Sequence, residues 1–173
     1  MNTKTCTFTG HRPQKLQFGF DETDPRCIQL KQKMQKEITS LIEQDGINHF
    51  ISGMAAGVDM FAAEIILDMK QTHPSVTLES AIPYENQPET WPEPLRDRYF
   101  DIAAHCDKES MLQTHYSLDC IDKLGQYMAE QSDLLVAVWD GTSSCTAHTV
   151  DHARRLGKPV ITIHPATLQI QRL

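Results

Sequence analysis

The segment from Leu134 to Trp139, Leu-Leu-Val-Ala-Val-Trp, is almost wholly apolar. A strand with one wet face alternates apolar and polar residues, so an unbroken run of this length belongs to a parallel strand covered on both faces. Parallel neighbours cannot be joined by hairpins; they need long crossovers, which are usually helices.

The rest of the chain supplies those crossovers. Thr5 to Thr9 reads as a first strand ending at Gly10, and a polar loop runs on through Pro25. From Arg26 to Gln44, Ile28, Leu30, Met34, Ile38, Leu41 and Ile42 recur at helical spacing, with Asp45-Gly46 as the stop. His49 to Ile51 is a brief strand, and Val58 to Lys70 carries Met60, Phe61, Ile65, Ile66 and Met69 on a second helix. Val76 to Ile82 is a strand ended by Pro83, and Pro94 opens a helix reaching about His105. Glu109 to Leu112 is a weak strand. Ser117 to Gln131 is a helix that Gly125 weakens by roughly 1 kcal/mol relative to alanine. A helix over Thr146 to Leu156 and a strand over Val160 to His164 complete the series.

Strands alternating with helices predict an α/β fold: a Rossmann-like, doubly wound, mainly parallel sheet of about six strands with helices on both faces. The length of 173 residues suits a single domain spanning residues 1–173.

Composition narrows the function classes. The net charge is −7 and the basic residues are scattered, except for Lys31, Lys33 and Lys36, which lie on a polar helix. A duplex nucleic-acid binder carries a basic face, so nucleic acid is disfavoured as a partner while a small nucleotide is not. The five cysteines are odd in number and form no Cys-x-x-Cys pair, which predicts a reduced, cytoplasmic setting. No apolar run approaches the ~18 residues that cross a bilayer, so no membrane association is expected.

In a doubly wound fold, ligands bind beyond the carboxyl ends of the strands. Four polar, small-residue segments fall at those ends: Thr9 to Arg12, Ser52 to Asp59, Pro83 to Gln87, and Asp140 to Thr149. Glycines at such turns admit a ligand close to the backbone, and an opening helix offers unpaired N–H groups to an anion. The segment containing Gly53, Met54 and Gly57 is not Gly-x-Gly-x-x-Gly, and by itself it fits close helix-to-strand packing as well. His11 and Arg12 place a titratable ring and a fixed cation where a phosphate would sit, although the pair alone also suits an exposed turn. Asp59, in the first turn of its helix, serves either as a cap or as an acceptor for a ribose or base. Glu64 falls on a mostly apolar helix face beside Ala62 and Ala63. A partly buried glutamate needs a partner, which makes it the stronger functional candidate of the two.

Metal chemistry finds no pattern. His105, Cys106, His115 and Cys120 lack the short paired spacings of zinc sites, and Asp107, His148, Asp151 and His152 read as polar helix faces. No Gly-x-Ser-x-Gly elbow is present.

The motifs FTGHRPQKL, ISGMAAGVDMFAAE, AIPYENQPETW, HYSLDCIDKLGQYMAEQSDLLVAVWDG and TVDHARRLGKPVI, in this order, resemble the YpsA-like family of the SLOG superfamily. That superfamily also holds the DprA/Smf DNA-processing proteins and the LOG-type cytokinin-activating enzymes. The resemblance implies a Rossmann-like domain that binds nucleotides or nucleotide-derived ligands, some members being sensors and others hydrolases. It carries ligand contact onto Gly10, His11 and Arg12; onto Gly53, Gly57, Asp59 and Glu64; onto Pro83, Tyr84, Gln87 and Trp91; and onto Asp140, Gly141, Thr146 and Thr149.

Three departures stand out. Ser144-Cys145 replaces a typical Gly-Gly, Leu124-Gly125 replaces an Arg-Asn pair, and Thr149 stands where LOG-type hydrolases carry a catalytic glutamate. A hydroxyl cannot stabilise an oxocarbenium-like transition state as a carboxylate does. The expectation is therefore a binding or sensing module for a small nucleotide-type ligand, and no motif specifies a further cofactor. An N-glycosidic hydrolase using Glu64 or Asp59 is the first alternative and a DNA-processing role the second. Apolar helix faces leave room for a homo-oligomer.

Overall fold

The computed structural model describes residues 2–173, and among them are seven strands and five α-helices. In chain order they are β1 (Thr5–Gly10), α1 (Pro25–Glu43), β2 (His49–Ser52), α2 (Val58–Met69), β3 (Thr77–Ile82), α3 (Glu93–His105) and β4 (Lys108–Met111). They continue with α4 (Cys120–Gln131), β5 (Leu134–Val138), α5 (Cys145–Arg155), β6 (Val160–Ile163) and β7 (Ile170–Arg172). A 3-10 turn over Pro13–Lys15 follows β1.

The strands form one sheet in the order β4-β3-β2-β1-β5-β6-β7. All neighbours are parallel except β6 and β7. This is the doubly wound, mainly parallel arrangement the sequence implies, with one more strand than expected. β7 is three residues long, Ile-Gln-Arg, and pairs antiparallel at the edge. Such a segment is too short and polar to show a period. The start of α4 is also corrected: residues 117–119 form a turn, where Ser117 Oγ bonds Asp119 Oδ1 at 2.7 Å.

β5 lies inside the sheet between β1 and β6. Its Val136 and Val138 join the core of α1, α2 and α3, while Leu135 and Ala137 pack with Ala129 of α4 and Val150 and Ala153 of α5. Both faces are covered, as the apolar run demands. Gly125 serves the packing of α4 on α5: a Cβ there would meet Thr149 Oγ1 at 2.5 Å. The helix-weakening residue thus permits close approach of two helices.

The chain runs outward from β1 through β2, β3 and β4, then returns to β5 on the other side of β1. The order therefore reverses between β1 and β5, and a crevice is expected beyond their carboxyl ends.

One buried charge lies inside the sheet away from that crevice. Glu79 of β3 faces His49 Nε2 at 2.9 Å and accepts from Ser110 Oγ at 2.7 Å and Tyr127 OH at 2.5 Å. Burial opposes its ionisation, but the bonds from His49, Tyr127 and Ser110 prevail and hold its carboxyl at about 2. The folded-state value lies below the unfolded one, so this stabilisation is present above the ordinary carboxyl range and is lost as pH falls toward 2. Glu79→Gln is expected to cost about 2 kcal/mol at neutral pH and less near pH 3, read from urea unfolding at both.

Candidate functional site

The loop after β1 is locked to its neighbours through the backbone of His11. Its amide donates to Val138 O of β5 at 3.2 Å, and its carbonyl accepts from Val58 N at the start of α2 at 3.3 Å. Two glycines permit this closeness. A Cβ on Gly10 would stand 2.5 Å from Val58 Cγ1, and one on Gly57, whose φ is +94°, would stand 2.7 Å from His11 O. Gly10 and Gly57 therefore admit neighbouring chain, the packing role that the loop glycines equally suggested.

Gly53 has a different task. A Cβ there would meet Asp59 Oδ2 at 3.0 Å and Leu124 Cδ2 at 3.1 Å, so its bareness makes room for the Asp59 carboxylate. Met54 is fully buried at φ +62°, and its amide is held by Ser52 Oγ at 3.2 Å. Neither Gly53 nor Met54 borders the hollows that meet at Arg12.

Asp59 does border one. It is 7% exposed; Oδ2 accepts from Ala55 N at 3.3 Å, while Oδ1 is buried without a partner. Burial pushes its carboxyl up to about 7, against the pull of the Ala55 amide and the Arg12 charge.

Three contiguous hollows meet at Arg12. The smallest, about 50 Å³, is bordered by Thr9, Gly10, Asp59, Gln87, Thr146 and Thr149, with Leu124 and Met128 beside them. A cleft of about 340 Å³ opens from it toward Tyr84, Trp91, Tyr116 and Phe20, with Gln87 shared between the two. The third, about 300 Å³, runs from Arg12 to the start of α5, bordered by His11, Lys15, Cys145 and Thr146. Arg12 is exposed, and no ion pair engages its guanidinium among the described residues. The first amides of α5 add unpaired donors at the end of the third hollow. Ser144 caps that helix, its Oγ accepting from Ala147 N at 3.2 Å, and Thr149 Oγ1 donates to Cys145 O at 3.2 Å.

His11 is 2% exposed, with Nε2 3.0 Å from Asp140 Oδ1 and 3.2 Å from the Asp140 amide. A protonated Nε2 donates to the carboxylate, and an unprotonated one accepts the amide. Burial opposes the charge on Asp140, but the hydroxyl and amide of Thr142, followed by His11, hold its carboxyl at about 2. Asp140 thus steadies His11 from behind the site. Gly141, at φ +90° in open space, turns the loop away, and Pro83 is buried at the end of β3.

The structure thereby brings together Thr9, Gly10, His11, Arg12, Asp59, Tyr84, Gln87, Trp91, Thr146 and Thr149. Glu64 is not among them. Arg98 of α3 holds it, bonding Glu64 Oε1 through Nε at 3.0 Å and also pairing with Glu22. The Glu64 side chain is half-exposed, its partner is Arg98, and it lies outside the three hollows, one of which Asp59 borders. Tyr116 and Lys15 join the site without a signal in the sequence. Tyr116 packs edge-on to Tyr84 at 5.4 Å, and Lys15 Nζ donates to Ser143 O at 3.1 Å, tying the turn after β1 to the loop before α5. Among the described residues no cluster of three His, Cys, Asp or Glu could hold a metal, and no helix is long and apolar enough to cross a membrane.

A Rossmann-like sheet with its polar loops gathered at the β1/β5 reversal defines the class of fold. DNA processing protein A from Streptococcus pneumoniae has the same fold with a TM-score of 0.65 at 14% identity, covering 96% of this chain and 52% of that one. The structural-genomics target TM1055 has it with a TM-score of 0.58 at 16% identity, covering 95% and 76%. The chain belongs to the YspA SLOG family, whose model matches residues 6–163. Among its relatives, the UPF0398 protein BH1768 of Halalkalibacterium halodurans is 30% identical over 139 residues, covering 79% of this chain and 72% of that protein.

Proposed function

We propose that the trough centred on Arg12 binds a small nucleotide or nucleotide-derived ligand, so that the protein works as a binding or sensing module. The observation that carries this reading is the free Arg12 guanidinium where an aromatic cleft, a buried carboxyl and a helix N-terminus converge. A phosphate suits Arg12, Lys15 and the first amides of α5, since a guanidinium and backbone donors at a helix start both favour anions. A base suits the aromatic cleft, where Tyr84 and Trp91 offer flat apolar faces. A ribose hydroxyl suits Asp59 and Gln87 between them.

The net charge of −7 and the size of the hollows favour one small anion over a nucleic-acid strand. Five unpaired cysteines favour a reduced, cytoplasmic setting.

Thermal unfolding with ATP, NAD, ADP-ribose and cyclic nucleotides tests the reading. A ligand at about a hundred times its Kd is expected to raise the melting temperature by roughly 5 °C or more. Arg12→Ala is expected to weaken that ligand by about tenfold to a hundredfold, measured by calorimetry. No shift with any of these nucleotides, or equal affinity in Arg12→Ala, contradicts the assignment.

A second reading, cleavage of the nucleotide N-glycosidic bond, is favoured by one observation: the Asp59 carboxyl borders the smallest hollow with its Oδ1 buried and unpartnered. A carboxyl that exchanges its proton near neutrality suits general acid–base work. Base release from nucleoside monophosphates that disappears in Asp59→Asn and persists in Glu64→Gln would support it. Absence of release by the wild type excludes it.

A further inference from the structure

Gln87 is the one buried residue lining the aromatic cleft, at 6% exposed, and it borders the smallest hollow as well. Its backbone amide closes the turn from Tyr84 by donating to Tyr84 O at 3.3 Å, and its side-chain Nε2 donates to Gly53 O at 3.4 Å. Reversing the carboxamide would set Oε1 against that carbonyl, two acceptors with no proton between them. Tyr99 agrees with this orientation. Burial pushes its phenol up to about 12, and the Gln87 side chain pulls the other way, as an N–H beside a phenolate does and a carbonyl oxygen does not.

The donor end of the carboxamide is thus turned into the protein. Oε1 accepts from no group among the described residues, and unlike the Tyr99 hydroxyl it is not sealed from solvent. A fixed acceptor in the wall shared by two hollows selects a ligand that brings a donor, because a ligand without one leaves it unpaired. Placement decides which donor. Gln87 borders the cleft suited to a base but not the hollow along α5 suited to a phosphate. In a nucleotide the 2′-hydroxyl stands on the carbon next to the one that carries the base, whereas the 3′-hydroxyl stands nearer the phosphate arm. The sugar group that meets Gln87 is therefore the 2′-hydroxyl.

We propose that Gln87 is a specificity-determining residue that selects ribonucleotides over 2′-deoxyribonucleotides, its Oε1 accepting a hydrogen bond from the 2′-hydroxyl. This assignment rests on the nucleotide reading of the trough and narrows its ligand class. A deoxyribose offers only C–H to the acceptor while still covering it from water. The carboxamide cannot turn to compensate, since its Nε2 is held by Gly53 O.

Calorimetry on the full-length chain at neutral pH tests it with ATP, ADP-ribose and cyclic AMP, each beside its 2′-deoxyadenosine counterpart. A ribonucleotide that binds is expected to do so about tenfold or more tightly than its deoxy form. Gln87→Met, similar in length but without the amide oxygen, is expected to bind the two forms within about twofold of each other. Circular dichroism verifies that this variant is folded, and the preference of the wild type is read without it. Equal affinity of the wild type for both forms overturns the assignment and leaves the nucleotide reading standing. A tenfold preference that persists in folded Gln87→Met also overturns it. Absence of binding by all three ribonucleotides counts against the trough as a nucleotide site and removes the assignment with it.

Discussion

Gly10→Ala is expected to lower unfolding stability by about 3 kcal/mol, the upper range for forcing one methyl into packed space. The added Cβ would stand 2.5 Å, 2.7 Å and 2.9 Å from the Cγ1, Cβ and Cγ2 atoms of Val58. Rotating Val58 cannot relieve this, because its Cβ is itself too near. Relief requires β1 and α2 to separate, which would stretch the bond between Val58 N and His11 O and displace the loop bearing Arg12. The measurement is the urea midpoint at constant m-value. Val58→Ala in the same chain is expected to restore part of the loss, and a double-mutant cycle isolates the contact. Additive effects of the two substitutions would show that Gly10 matters for another reason.

Asp59→Asn is expected to stabilise the protein at alkaline pH and to change it little in acid. The folded-state value of about 7 lies well above the ordinary 3.8, so the fold favours the protonated acid. The sign follows from linkage: the stability associated with neutral Asp59 is fully present below the unfolded value and is lost as pH rises through about 7. The difference of about 3 units at roughly 1.4 kcal/mol each amounts to about 4 kcal/mol at pH 9. Asparagine removes the charge while keeping an oxygen for the Ala55 amide. Urea unfolding from about pH 4 to 9 is expected to give a falling curve for the wild type and a flatter one for Asp59→Asn. Parallel curves would mean that Asp59 is ionised throughout in the native state.

What the sequence reveals follows from how local each signal is. The run Leu134 to Trp139 discloses a doubly covered strand because each of its residues must be buried on one face or the other, and Val136 and Leu135 indeed point into opposite cores. The Ile-Gln-Arg strand β7 has no such pattern; only its pairing with β6 makes it a strand. The site divides in the same way. Arg12, Tyr84 and Thr146 stand at strand ends or helix starts, and topology alone sends those positions to one edge. The surroundings of Glu64 and Asp59 are set by tertiary contacts that no local pattern reveals. Arg98, 34 residues along the chain, takes Glu64 into a structural ion pair, and the bare Cα of Gly53 opens the space that Asp59 fills. Tyr116 lies in a turn without periodicity and enters the cleft only because Tyr84 comes to meet it.

The trough is shaped by the close packing of its loops. Its glycines allow β1, α2 and their loops to approach one another, and the cavity they leave joins a small hollow of mixed lining to an aromatic cleft. Thr149 bonds its own helix and leaves Asp59 as the one carboxyl bordering the three hollows.

A crystal structure with the nucleotide that gives the largest thermal shift tests the proposed binding site most directly. The expected density places the phosphate between Arg12 and the first turn of α5, the base against Tyr84 and Trp91, and the ribose within hydrogen-bonding distance of Asp59. A nucleotide bound elsewhere, such as against Glu64 and the outer faces of α2 and α3, with the trough around Arg12 empty, would contradict it.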